Sequence, residues 1–268
     1  MIKSNLHMHT VFCDGKNTPE EMVLAAISAG YDTVGFSAHG FTPFDQSYCV
    51  KNGAEFAREI ERLKAKYAAK ICILTGVEAD FYGVLPEFKT DYIIGAVHYV
   101  KKSGEYIPVD LDKNTFVECV DEHYGGDFFS FAKDYYDTVA EMVNALKPDI
   151  LGHFDLLNKY NGDNSLFDQK DARYTAILRA ACERIKGAKP TVEINVGNII
   201  SGNANEPYPS FAAIEILKEY GFRFCLSLDA HSVKAFEFDY KTILEKLRSK
   251  GIRKLMVWKS GVPTETEI

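Results

Sequence analysis

Short apolar runs recur along this chain, separated by amphipathic stretches, and nearly every run ends in His, Glu or Asp. Thr33-Val34-Gly35-Phe36-Ser37 stops at His39, Ile71 to Val77 at Glu78, and Tyr92 to Val97 at His98. Asp149-Ile150-Leu151-Gly152 stops at His153, and Phe222 to Leu228 at Asp229 and His231. Runs with little alternation belong to strands buried on both faces, which occur where helices cover a parallel sheet. The stretches between them read as those helices. Thr18-Pro19-Glu20-Glu21 supplies an N-cap, a first-turn proline and a capping-box glutamate, and Gly30 closes that helix. Further helices are predicted over 54–68, 135–146, 171–186, 210–220 and 240–250. Leu255 to Trp258 reads as a last short strand, followed by a frayed tail after Lys259.

Strand then helix, repeated about seven times with no Pro/Ser-rich linker, predicts one α/β domain over residues 1–268. A closed barrel holds this pattern most simply, with a doubly wound open sheet as the rival. An open sheet gathers its site at one switch point, whereas a barrel builds it from many strand ends. Polar residues at almost every run's end therefore favour the barrel. From Lys101 to about Asp134 the chain, with Gly125-Gly126, reads as an irregular excursion that shapes a binding site.

The net charge of -7 argues against a general nucleic-acid or anionic-membrane binder. A small phosphate monoester remains compatible, because a metal ion supplies local positive charge. The six cysteines are scattered without a CxxC pair and read as reduced thiols. With no signal peptide and no membrane-length apolar run, a cytoplasmic monomer or small homo-oligomer is the expectation.

In Asn5-Leu6-His7-Met8-His9-Thr10, side chains two apart on a strand share a face, so His7 and His9 form a ready pair of metal ligands. A lone His-x-His is most often accidental, but Asp229-x-His231 repeats the geometry. With Glu78 there are groups for two ions, and Asp14 with His39 extends them to three. Mixed imidazole and carboxylate suits Zn, Mn or Fe, and such sites clamp phosphate and lower the pKa of a bound water. Asp80 and Asp155, each two residues past a ligand, are placed to orient imidazoles. Phe41, Phe44, Tyr48, Tyr99 and Tyr124 fall in loops expected at the same end, whereas His123 reads as an ordinary loop residue.

His7-Met8-His9-Thr10, Ser37-Ala38-His39, Gly76-Val77-Glu78, Val97-His98-Tyr99, Gly152-His153-Phe154-Asp155 and Leu228-Asp229-Ala230-His231 resemble, in order, the motifs of the polymerase and histidinol phosphatase (PHP) family. Tyr124-Gly125-Gly126-Asp127 and Glu206-Pro207-Tyr208-Pro209-Ser210 resemble its histidinol-phosphate phosphatase branch. The resemblance implies a distorted seven-stranded (β/α) barrel, TIM-barrel-like, holding two to three divalent ions. It implies one ion on His7, His9, Glu78 and Asp229. Glu78 then bridges to a second ion on His98 and His153, and a third lies between Asp14, His39 and His231. Many relatives place a His near the position of Asp14.

The implied reaction is hydrolysis of L-histidinol phosphate in histidine biosynthesis. A metal-bridging hydroxide attacks phosphorus in line, with Glu78, His153 and Asp229 as the catalytic residues. Asp229 or a metal-bound water returns a proton to the leaving oxygen. Relatives often carry an Arg in the loop here spanning 197–205, which has no cation. Lys159 and Arg58 are the candidate substitutes, and Asn195 or Asn198 could contact substrate through its amide. Three rival readings remain: a phosphoesterase for another small monoester or nucleotide, a non-catalytic metal-binding module, and an amidohydrolase-type barrel cleaving a C–N bond, whose usual bridging carbamylated Lys is replaced here by Glu78.

Overall fold

The computed structural model describes residues 3–202 and 204–268, so the Met1-Ile2 lead-in and Asn203 lie outside the described residues. In chain order the elements begin with β1 (Ser4–Asn5), α1 (Pro19–Ser28), β2 (Thr33–Phe36), α2 (Gly53–Tyr67), β3 (Cys72–Asp80) and β4 (Tyr92–Ala96). There follow β5 (Tyr99–Lys102), β6 (Glu105–Pro108), α3 (Lys113–Tyr124), α4 (Phe128–Leu146), β7 (Ile150–Leu151), α5 (Ala172–Ile185) and β8 (Thr191–Asn195). The chain ends through α6 (Gly197–Ile200), α7 (Phe211–Glu219), β9 (Phe224–Ser227), α8 (Lys241–Ser249), β10 (Lys254–Lys259) and β11 (Val262–Glu267).

Strands β1, β2, β3, β4, β7, β8 and β9 pair in that order, all parallel. The ring closes where Met8 bridges Ala230: His9 N donates to Ala230 O at 2.9 Å and Ala230 N to His7 O at 3.1 Å. This is the expected α/β barrel with helices outside. Leu6, Tyr92, Ile94, Ile150 and Cys225 fill its interior, joined by Met256 and Trp258 of β10. Hydrogen bonds from Trp258 N to Ser4 Oγ and from Ser260 N to Asp32 Oδ2 hold the β10–β11 hairpin against the starts of the strands. Tyr92 occupies the centre only because Gly35 and Gly76 face it. A Cβ at either would stand 2.3 or 2.2 Å from the tyrosine.

Three expectations are corrected. The stretch 101–134 is not irregular: it holds the β5–β6 hairpin, α3 and the first turns of α4. Ser103 (φ 52°) and Gly104 (φ 93°) make the two-residue turn that matches strand twist. Asp112 and Asp127 cap the two helices, and Gly125 (φ 61°) is the left-handed stop between them. Helix α4 therefore starts at Phe128 rather than near 135. The tail after Lys259 is not frayed but forms β11, antiparallel to β10 across a Ser260-Gly261 turn. All six cysteines are unpaired. No helix among the described residues is long and apolar enough to cross a membrane.

Candidate metal centre

A parallel barrel delivers the carboxyl ends of its strands to one rim. His7 and His9 follow β1, His39 follows β2, and Glu78 and Asp80 end β3. His98 follows β4, His153 follows β7, and Asp229 and His231 follow β9. Glu78 stands in the middle. Its Oε2 lies 3.0 Å from His7 Nε2, 3.3 Å from His9 Nε2 and 3.1 Å from His39 Nδ1. Its Oε1 lies 2.8 Å from His153 Nε2 and 3.3 Å from His98 Nε2. Asp229 Oδ1 lies 3.2 Å from His9 Nε2 and 3.4 Å from His7 Nε2. Asp14, on the turn after the first segment, reaches His9, His39 and His231 at 3.5, 3.6 and 3.2 Å.

These separations are the size of ligand-to-ligand edges. Donors bound tetrahedrally at about 2.1 Å stand roughly 3.4 Å apart. Buried His9 Nε2, His39 Nδ1 and Asp229 Oδ1 find no hydrogen-bond partner among the described residues, which is costly unless a cation takes them up. Four overlapping groups have donor atoms within 4.8 Å of one another: His9-Asp14-His39-His231, His7-His9-Asp229, His7-Glu78-His153 and His39-Glu78-His98. The residues fit divalent ions. Of the expected sets, His7-His9-Asp229 and Asp14-His39-His231 recur here, the second joined by His9, while His98 and His153 each cluster with Glu78.

The charges agree. Against their burial, Glu78 is held well below the carboxylate range by His39 and His7, and Asp229 by His7 and His9. Burial alone would lower His7, but Asp229, Glu193 and Glu78 hold it well above its ordinary value. Burial, with His231 and His39 alongside, pushes His9 down to about 4.

A cavity of about 430 Å³ opens over the cluster. Its floor includes Glu78, His98, His153 and Asp229, and its walls include Tyr48, Tyr99, Asp110, Lys159, Asn198 and Tyr208. Among its lining residues Lys159 is the one Lys or Arg, and its Nζ donates to Asp110 O at 2.9 Å and Oδ2 at 3.0 Å. Arg58 does not line the cavity. Helix α2 buries Phe56, Ile60, Leu63 and Tyr67, which turns Arg58 out to solvent, so it is withdrawn as a substrate contact. Asn195 is also absent from the lining: its Nδ2 donates to Glu193 Oε1 and Asp229 Oδ2, so it supports a ligand instead of meeting substrate.

Asp80 accepts the backbone N–H of His98 at 2.9 Å and lies 3.4 Å from its Nδ1, which makes no hydrogen bond among the described residues. Asp155 does not orient an imidazole. It accepts from Ser210 N and Asn158 Nδ2, and burial pushes its carboxyl up to about 6. His123 sits in the last turn of α3, 3.5 Å from Glu105 and away from the cavity. Tyr48 meets His39 edge-on with centroids 4.8 Å apart, whereas Phe44 stacks on Tyr106 and Tyr124 donates to Asp134. Phe41 is exposed, and Val84 N bonds its carbonyl.

Sequence reasoning missed Glu193, whose Oε2 lies 2.7 Å from His7 Nδ1. The available signal was one acid inside the otherwise uncharged run Thr191-Val192-Glu193-Ile194-Asn195, all of it buried. It also missed Asp110, which stood in the stretch read as irregular.

Residues 5–197 match the family model described as PHP, the PHP domain. The chain is 28% identical to a Deinococcus radiodurans protein named "Probable histidinol-phosphatase", over 92% of this chain and 93% of that one. It is 22% identical to a Bacillus subtilis protein named histidinol-phosphatase, over 92% of this chain and 100% of that one. The solved structure of a Lactococcus lactis histidinol phosphate phosphatase, complexed with zinc, L-histidinol and phosphate, superposes with a TM-score of 0.69 at 20% identity, covering 98% of each chain.

Proposed function

Since the chain belongs to the PHP domain family, we propose that it is a metal-dependent phosphomonoester hydrolase converting L-histidinol phosphate and water to L-histidinol and phosphate in histidine biosynthesis. The observation that carries this reading is the convergence of imidazoles and carboxylates from six strand ends, Glu78 among them, at the floor of one substrate-sized cavity. The names of the similar proteins supply the substrate, and the cavity walls suit it.

The residues expected to hold the ions are His7, His9, Asp14, His39, Glu78, His98, His153, Asp229 and His231. When bound, divalent ions supply a water of lowered pKa and neutralise the phosphate's non-bridging oxygens. The proton returned to the leaving oxygen comes from Asp229, which lines the cavity, or from a metal-bound water. Lys159 spends two hydrogens on Asp110 and keeps its third for a substrate oxygen. Against burial, Asp110 is held below the usual carboxylate range by Lys159 and His98, and Asp45 by Ser47 and Tyr99. These wall carboxylates suit the cationic amine of the leaving alcohol.

The test is phosphate release by metal-reconstituted protein from L-histidinol phosphate and from a panel of other monoesters and nucleotides. A kcat/KM advantage of about 100-fold, near 2.7 kcal/mol, is expected for L-histidinol phosphate. Equal turnover across the panel would remove the substrate assignment. Stoichiometric metal with no turnover of any ester would remove the phosphatase.

A further inference from the structure

Strand β8 carries Glu193 and Asn195 on one face, two residues apart, and neither lines the cavity. Both are buried, at 1% and 0% exposure. Glu193 faces three donors. Oε2 accepts Nδ1–H of His7 at 2.7 Å, and Oε1 accepts the backbone N–H of His153 at 3.0 Å and Nδ2–H of Asn195 at 2.8 Å. The orientation of Asn195 is fixed from the other side, where Gly197 N–H donates to its Oδ1 at 2.8 Å. Its amide nitrogen therefore has to face carboxylates, and its second contact is Asp229 Oδ2 at 3.1 Å. The Asn195 backbone is pinned as well, exchanging both hydrogen bonds with Tyr208.

Only an acceptor-only side chain satisfies the donors around Glu193. A glutamine would aim its own N–H at one of them. With Nδ1 of His7 committed as a donor to Glu193, Nε2 is the nitrogen turned toward Glu78 and Asp229, where an ion would be held. The next imidazole with a carboxylate behind it, His98, has Asp80 at the longer distance of 3.4 Å.

We infer that Glu193 and Asn195 form a positioning clamp, which fixes His7, His153 and Asp229, from three different strand ends, in ligating geometry before any ion arrives. The inference rests on the metal-centre reading above. Groups behind metal ligands fix tautomer and raise basicity, and losing one costs about 10–100-fold in metal affinity or activity.

The experiment strips the full chain of metal and titrates Zn or Mn back against a competing chelator, for wild type, Glu193→Gln and Asn195→Ala. Both variants are expected to keep the wild-type circular dichroism and to lose about 10–100-fold in affinity for at least one ion. At saturating metal, kcat falls while KM for the ester holds. Nitrogen-15 spectra of the metal-loaded protein add a readout that general destabilisation does not move: the His7 Nδ1–H resonance, hydrogen-bonded to Glu193 in wild type, shifts in Glu193→Gln. If Glu193→Gln fails to fold, Asn195→Ala still leaves Glu193 and Asp229 each one donor short and reads the same loss. Wild-type metal uptake with unaltered affinity in every folded variant overturns the clamp alone. A wild-type chain that takes up no ion overturns the metal reading, and the clamp with it.

Discussion

Glu78 divides two oxygens among five imidazoles, His7, His9 and His39 on one and His98 and His153 on the other. It is the one carboxylate that two of the candidate ion clusters share among the described residues, so Glu78→Gln is expected to lose most bound metal as well as turnover. His153→Ala and Asp229→Ala should fold and lose about 10³-fold in kcat, the worth of a charge-stabilising contact in the transition state. Phosphate release beside melting curves checks this, and near-normal turnover in both with metal supplied would sink the mechanism. Lys159→Ala should raise KM about 10–100-fold, the value of a hydrogen bond between charged groups, with a smaller change in kcat. The candidate ligands stood out in the sequence because imidazoles and acids recur at the end of one buried run after another, in an order that resembles the family's motifs. Glu193 was not, since one acid in an apolar strand shows its partner only when the barrel brings His7 beside it.

At the scale of elements, the buried parallel strands and their outer helices were readable from apolar runs and helix caps, while the polar hairpins were not. Strands β5 and β11 alternate too weakly to stand out, and their turns, Ser103-Gly104 and Ser260-Gly261, lack the Asn or Asp that marks such turns most plainly. Helices α1 and α2 are joined at the surface by Glu20, which accepts from Lys66, Tyr67 and Arg62. Lys66, then Tyr67 and Arg62, lowers its carboxyl from 4.5 to about 2. A lowered folded-state value means the contribution is complete above the unfolded value and lost as pH falls through the folded one. Glu20→Gln should therefore lower Tm at pH 6, and its difference from wild type should fade below pH 4.5 and vanish near pH 2. A gap that persists in strong acid would contradict this. Inside the barrel, Gly76→Ala drives a methyl group into Tyr92 and should cost about 1–3 kcal/mol in urea unfolding.

For the whole molecule, the ring and the site share one closure. His7 and His9 flank Met8, Asp229 and His231 flank Ala230, and the bridge between Met8 and Ala230 joins the first strand to the last. An ion held across that seam binds the closed barrel and not the open chain. Chelation should therefore lower Tm, and added Zn or Mn should restore it, by about 2.7 kcal/mol when free metal is 100 times Kd. A Tm indifferent to metal would separate site from seam. The same arrangement bears on synthesis. While the ribosome is still making the chain, the early histidines wait until the last parallel crossover, from β8 to β9, is finished, because Asp229 and His231 come so late. Cation capture thus marks the closing of the ring, and a product cut short after β8 retains most of a shell but lacks Asp229 and His231 beside its first two imidazoles.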